Sequence, residues 1–155
     1  MSTRLQIVAV GRLRDPFAGV ADLYLRRLGP GLDVRVDEVA PEPASRDRGR
    51  AMRREGERLR GRIQDRAWRV ALTPECRPPA SSEALADWLA LRIEAARPIS
   101  IVIGGADGIE PSLRRECEER LSLGSLTLPH QLARVVLLEQ LYRAVCIRSG
   151  HPYPR

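Results

Sequence analysis

Apolar residues fall in short blocks along this chain, and glycine or proline closes each block. Residues 4–10 (Arg-Leu-Gln-Ile-Val-Ala-Val) read as a first strand ended by Gly11. Val20, Ala21, Leu23, Tyr24, Leu25 and Leu28 then recur at helical spacing up to Gly29-Pro30-Gly31, which stops the helix. Val34, Val36 and Val39 alternate with charges and predict a second, half-exposed strand. Residues 40–49 have loop composition and lead into an arginine- and glutamate-rich helix expected from about Arg50 to Asp65. Trp68 to Leu72 is a third strand, followed by a proline loop from Thr73 to Pro79 that forbids helix. Ser81 or Ser82 caps the next helix, whose buried face is Leu85, Trp88, Leu89 and Ile93. Ile99 to Ile103 is apolar throughout except Ser100, as a central parallel strand covered on both faces must be. Beyond it the pattern predicts a helix from about Pro111 to Leu121, a short last strand Ser125-Leu-Thr-Leu128, and a helix from His130 to about Ile147. That final helix is apolar on more than one face, so it wants two partners: the sheet and a second subunit. Strands alternating with helices place the chain in the α/β class.

Length adds one constraint. A chain of 155 residues is most simply a single domain, 1–155, able to bury its own core. Cys76, Cys117 and Cys146 form no C-x-x-C pair and are odd in number, which argues against a disulfide scaffold or zinc knuckle and for a reducing, cytoplasmic setting. The opening apolar run is too short for a signal-peptide core, and no stretch reaches a membrane span, so membrane association is not expected. The formal net charge is +6, which suggests a polyanionic partner such as nucleic acid. All 26 basic residues are arginine, a chain-wide bias that fits a GC-rich genome and singles out no site. Arginines crowd the segment from Arg46 to Arg69; a solvated face laced with i,i+4 ion pairs is one reading and an RNA-facing patch the other.

Candidate chemistry concentrates in the last third. Gly104-Gly-Ala-Asp-Gly-Ile109 follows the buried strand, at the sheet edge where α/β proteins bind ligands. The loop lacks the spacing of a dinucleotide fingerprint and the Gly-Lys-Ser/Thr of a P-loop, which removes support for hydride or nucleoside-triphosphate chemistry. Leu123 to Pro129 carries no charged side chain and can offer main-chain N–H and C=O groups to a neutral heterocycle. His130 and His151, the only histidines, are too isolated for a zinc site, and no metal is expected. His130 reads either as a helix cap or as a pocket residue, and Asp107 and Glu110 either as turn residues or as ligand contacts. Without a G-x-S-x-G elbow, Ser125 and His130 do not make a serine hydrolase.

Taken jointly, Ile-Val-Ile-Gly-Gly-x-x-Gly108, then Leu121-Ser-Leu-Gly-Ser-Leu-Thr-Leu-Pro-His130, then Arg134, Leu141-Tyr-Arg-Ala144 and His151-Pro-Tyr153 resemble the SPOUT-class methyltransferases, and within them the large-subunit ribosomal RNA methyltransferase H family. The resemblance runs from the first strand to the carboxyl terminus and includes Tyr24-Leu-Arg-Arg27 and Glu55-Gly-Glu57. It implies an α/β knot: a trefoil-knotted, mostly parallel sheet flanked by helices, with the chain threading near Leu123 to Leu128. It implies S-adenosylmethionine as cofactor, held by Leu72, Gly104, Gly105, Leu123, Gly124, Ser125, Leu126, Thr127 and Leu128. It implies methylation at N3 of a pseudouridine in 23S rRNA on the assembled ribosome, by a homodimer whose acceptor site is shared between subunits. The N3 must lose a proton as it attacks, and the candidate helpers are His151, Tyr153 or an arginine that stabilises the developing anion, Arg134 or Arg143. A tRNA base or ribose, or a noncatalytic RNA-binding role in ribosome assembly, are the alternatives. Two departures stand out. Cys76-Arg77 replaces the family's usual Gly-Lys, and Pro154 replaces the last histidine of its usual His-Pro-Tyr-His tail.

Overall fold

A computed structural model describes residues 5–153. Five strands, β1 (Leu5–Val10), β2 (Val34–Val39), β3 (Trp68–Leu72), β4 (Ile99–Ile103) and β5 (Glu119–Leu121), form one sheet in the order β2-β1-β4-β3-β5. Every pairing is parallel, with Leu5 opposite Val34 on one side and Ile99 on the other. β1 and β4 are central and buried along their whole length, which is why their sequences are continuous apolar runs.

Side-chain alternation divides the core into two layers. Leu5, Ile7, Val70, Ile99 and Ile101 face helices α1 (Phe17–Leu28), α3 (Ser82–Glu94) and α5 (His130–Ser149). Val8, Val10, Ala71 and Val102 face the other way, onto Leu59 of α2 (Arg48–Arg60) and Leu113 of α4 (Pro111–Glu116). α5 packs on both α1 and α3 and so lies between them under the sheet. Ser81 is the cap of α3, its side chain accepting from the Ala84 N–H, as its position before the apolar run requires.

Three element bounds differ from those the pattern predicts. The helix after the glycine loop stops at Glu116, and the last strand is Glu119–Leu121 rather than Ser125–Leu128. Cys117 is already extended and β5 pairs with the edge of β3, while residues 125–128 pair with no strand. The arginine-rich helix starts earlier and ends earlier than its pattern suggests, because Asp47 caps it and Gly61 closes it. Leu137, Leu138 and Leu141 are all buried within this one chain, so α1 and α3, together with the sheet, satisfy most of α5's apolar circumference.

One crossing decides where a site can form. β5 ends at the outer edge beyond β3, whereas α5 begins beside Gly11, at the end of β1. Residues 122–129 therefore run across the carboxyl ends of β3 and β4.

Candidate functional site

The crossing segment and the strand ends beneath it enclose a cleft of about 900 Å³, within the size range of small-molecule sites. Its floor is the end of β4 and the glycine loop. Gly104 is the tightest point: a Cβ there would lie 2.3 Å from the Gly108 carbonyl carbon and 2.6 Å from the Ile109 nitrogen. No side chain fits, because the obstructing atoms are main chain. The loop folds back on itself through the Gly108 N–H, which donates to the Gly105 carbonyl at 3.0 Å, and Gly108 adopts a φ of +89°. Gly105 rests on Val10 and on the buried Glu55 carboxylate, whose Oε2 also accepts from the Glu42 N–H.

The opposite wall is the crossing segment. Ser122 Oγ accepts from the Gly124 N–H and donates to the Gly124 carbonyl, bending the chain where Gly124 takes a φ of +148°. Among the described residues, Ser125 to Leu128 take no hydrogen-bond partner, so their main-chain groups are available to a ligand. Leu126 is 79% exposed. Of the residues implied to hold a cofactor, Leu72, Gly104, Gly105, Leu123, Gly124, Leu126, Thr127 and Leu128 line the cleft, and Ser125 does not.

Other lining residues carry no signal in the sequence pattern. Met52 of α2 and Ala133 of α5 come from helix positions that read as ordinary core. Glu75 and Arg114 also line the cleft and pair at 2.5 Å, tying the β3–α3 loop to α4. Asp107 lines it and faces Arg48 at 3.8 Å. Glu110 is the residue before α4 and binds Arg60 at 3.0 Å. His130 is a lining residue in the first turn of α5; the cap position belongs to Pro129. Cys76 lies outside the lining, and its thiol, which contacts the Thr73 carbonyl, is pushed above its ordinary pKa by burial.

The residues assigned to the acceptor side lie elsewhere. Arg134 is 2% exposed, its fork spread between the Gly11 carbonyl and the Glu38 carboxylate. Arg143, His151 and Tyr153 gather at the far end of α5, a 20-residue helix and so about 30 Å long. There the Tyr153 hydroxyl meets that of Tyr24 at 3.1 Å and Glu139 Oε1 at 3.4 Å, while Arg143 binds Glu139 and lies over the Tyr153 ring. Burial and the Tyr24 hydrogen bond raise the Tyr153 pKa, so its phenol holds its proton at neutral pH. Glu139, which organises this cluster, is signalled in the sequence only by its i,i+4 spacing to Arg143. The Pro154 departure lies outside the described residues.

Arginine pairing divides the 46–69 segment. Arg58 binds Glu42, Arg60 binds Glu110 and Glu116, and Arg69 reaches Glu116. The side chains of Arg46, Arg50 and Arg53 have no partner among the described residues, and they stand at the end of α2 nearest the cleft residue Met52.

A family model described as "Predicted SPOUT methyltransferase" matches residues 3–154. Relatives named ribosomal RNA large subunit methyltransferase H include that of Rubrobacter xylanophilus, 45% identical with 99% of each chain covered. That of Acidiphilium cryptum is 42% identical, covering 98% of this chain and 94% of its own. That of Lacticaseibacillus casei is 36% identical over 96% and 98%. Among solved structures, a probable methyltransferase from Bordetella pertussis Tohama I superposes with a TM-score of 0.58 over 92% of this chain and 95% of its own. A probable methylase family protein from Haemophilus influenzae Rd KW20 gives the same score over 96% and 67%. At 16% and 14% identity these two speak for the fold alone.

Proposed function

This chain belongs to the SPOUT methyltransferase family, and from that premise we propose that it transfers a methyl group to N3 of a pseudouridine in 23S rRNA, in the cytoplasm and on the assembled ribosome. The observation that carries the reading is the cleft at the carboxyl edge, floored by a glycine that admits no side chain and roofed by main chain left without partners.

S-adenosylmethionine fits that cleft by size and by chemistry. When bound, it supplies an electrophilic methyl on a sulfonium. Main-chain groups of Ser125 to Leu128 would read the adenine edge, Gly104 and Gly105 would let the ligand approach the end of β4, and Leu72, Leu123 and Leu128 would exclude water. Asp107 is the carboxylate best placed to meet hydroxyl or ammonium groups, since its partner Arg48 is distant and exposed.

The acceptor is a weakly acidic imide, so its N3 must lose a proton as it attacks. In one subunit the tail and the cleft lie at opposite ends of α5, which supports a site shared across a homodimer, one subunit's tail meeting its partner's cleft. With its pKa raised, the Tyr153 hydroxyl acts as a hydrogen-bond donor to the developing anion and not as the base. Arg143, held over it by Glu139, adds positive charge at the same place. His151 is exposed in the same tail, where its imidazole can reach an acceptor base.

Single-turnover methyl transfer on ribosomes lacking the modification tests the assignment. Tyr153→Phe is expected to slow transfer while binding S-adenosylhomocysteine like the parent protein. Full-rate transfer by a chain truncated after Gly150 would contradict it.

A further inference from the structure

Arg134 stands in the second turn of α5, buried, where a fully apolar side chain would be the ordinary choice. Its Nη2 donates to the Gly11 carbonyl at 2.8 Å, and its Nη1 pairs with the Glu38 carboxylate. The same carboxylate accepts from the Leu13 N–H at 3.2 Å. One turn earlier, the Gln131 side chain accepts from the Arg14 N–H at 3.0 Å. Gly11 itself has a φ of +87°, and a Cβ there would lie 3.9 Å from His130 Nε2. The end of β1, the segment 11–14, β2 and the start of α5 therefore meet at one polar junction that runs from the buried Arg134 out to the exposed Glu38.

Such a junction is a poor way to gain stability. Burying a guanidinium has a desolvation cost that an apolar side chain of similar volume would avoid, and its partner Glu38 stays at the solvent edge. What the pair supplies is direction: a planar fork with fixed donor vectors, holding one helical turn against one strand end. That turn carries His130 and Ala133, both in the cleft wall, and it immediately follows the crossing segment Leu123 to Pro129.

We infer that Arg134 and Glu38 form a positioning pair that fixes the α5 wall of the cleft and thereby sets affinity for the methyl donor, with no contact to the acceptor base. The inference rests on the donor reading of the cleft given above. It moves Arg134 from the acceptor side, where the family resemblance places it, to the support of the donor side.

The test is titration calorimetry of the full chain with S-adenosylhomocysteine, set beside steady-state methyl transfer to ribosomes. Arg134→Lys keeps the charge and loses the fork; Glu38→Gln keeps an acceptor for Leu13 and loses the charge. Each is expected to weaken binding by about tenfold and to raise the donor KM in proportion, with kcat at saturating donor within about twofold of the parent. Unchanged binding with a fallen kcat would overturn the inference and return Arg134 to the acceptor. If Arg134→Lys does not fold, Glu38→Gln decides alone, since parent-like affinity in that variant contradicts the pair. A parent protein that binds no S-adenosylhomocysteine would overturn the donor reading, and this inference with it.

Discussion

Gly104→Ala asks the most of the cleft for the least change in chemistry. The added methyl would sit 2.3 Å from the Gly108 carbonyl carbon, 2.5 Å from its oxygen and 2.6 Å from the Ile109 nitrogen. These are main-chain atoms of a turn closed by the Gly108 to Gly105 hydrogen bond and anchored by buried Ile109, so no rotamer change relieves the clash. Overpacking of this kind costs about 1–3 kcal/mol, and with backbone as the obstacle the upper half of that range applies. For a chain of this size that corresponds to a fall of about 4–12 °C in Tm. If the turn moves instead, the loss appears as donor affinity, with about tenfold for each 1.4 kcal/mol. Gly105→Ala is the internal control. Its nearest neighbours, the Glu55 carboxylate oxygens and Val10 Cγ1, all lie at 3.1 Å and are side-chain atoms able to yield by a few tenths of an ångström. The expected order of damage is Gly104→Ala well above Gly105→Ala, read by thermal unfolding and by titration with S-adenosylhomocysteine. Parent-like Tm and affinity in Gly104→Ala would refute the close-approach argument.

Three further outcomes follow from particular side chains. Neutralising Arg46, Arg50 and Arg53 together should weaken binding to ribosomal RNA and flatten its dependence on log salt by about 0.9 for each duplex phosphate left without its arginine, leaving donor affinity intact; an unchanged slope restores the solvated-face reading. Arg48, engaged with Asp107, is the less informative target. Burial pushes the Cys117 thiol up to about 11, so at pH 8 only about 0.1% is thiolate and native alkylation by iodoacetamide should be slow, rising tenfold per pH unit up to that value; a rate that levels off near pH 8.5, the ordinary thiol pKa, contradicts the burial. Val136→Glu should dissociate a homodimer built on α5, because Val136 is half-exposed whereas Leu138 is fully buried within the chain; light scattering that shows an active monomeric parent would remove both the dimer and the shared site.

Most of the strand framework is legible in the pattern because β1 and β4 are covered on both faces, and such strands need uninterrupted apolar sequence. The glycine loop is legible as a ligand edge for a related reason: it follows a central strand, and Gly104 is required by main-chain contact and not by a turn alone. The last strand is misplaced because Glu119-Arg120-Leu121 carries only one apolar residue and owes its conformation to the free edge of β3. Ser125 to Leu128 has better strand composition and no strand beside it. Spacing is also silent on the crossing over β3 and β4, which is a property of chain path. Arg134 shows the same limit at the level of one side chain: sequence marks it as a cation near a site, and only its two partners reveal what the charge is for.

The central claim is tested most directly by mass mapping of 23S rRNA from a strain lacking this protein, before and after it is restored. The account predicts one pseudouridine lighter by a methyl group in the deletion strain, regaining it with the parent chain and not with Gly104→Ala. Identical 23S rRNA masses in the two strains, or a methyl group missing from tRNA instead, would contradict it.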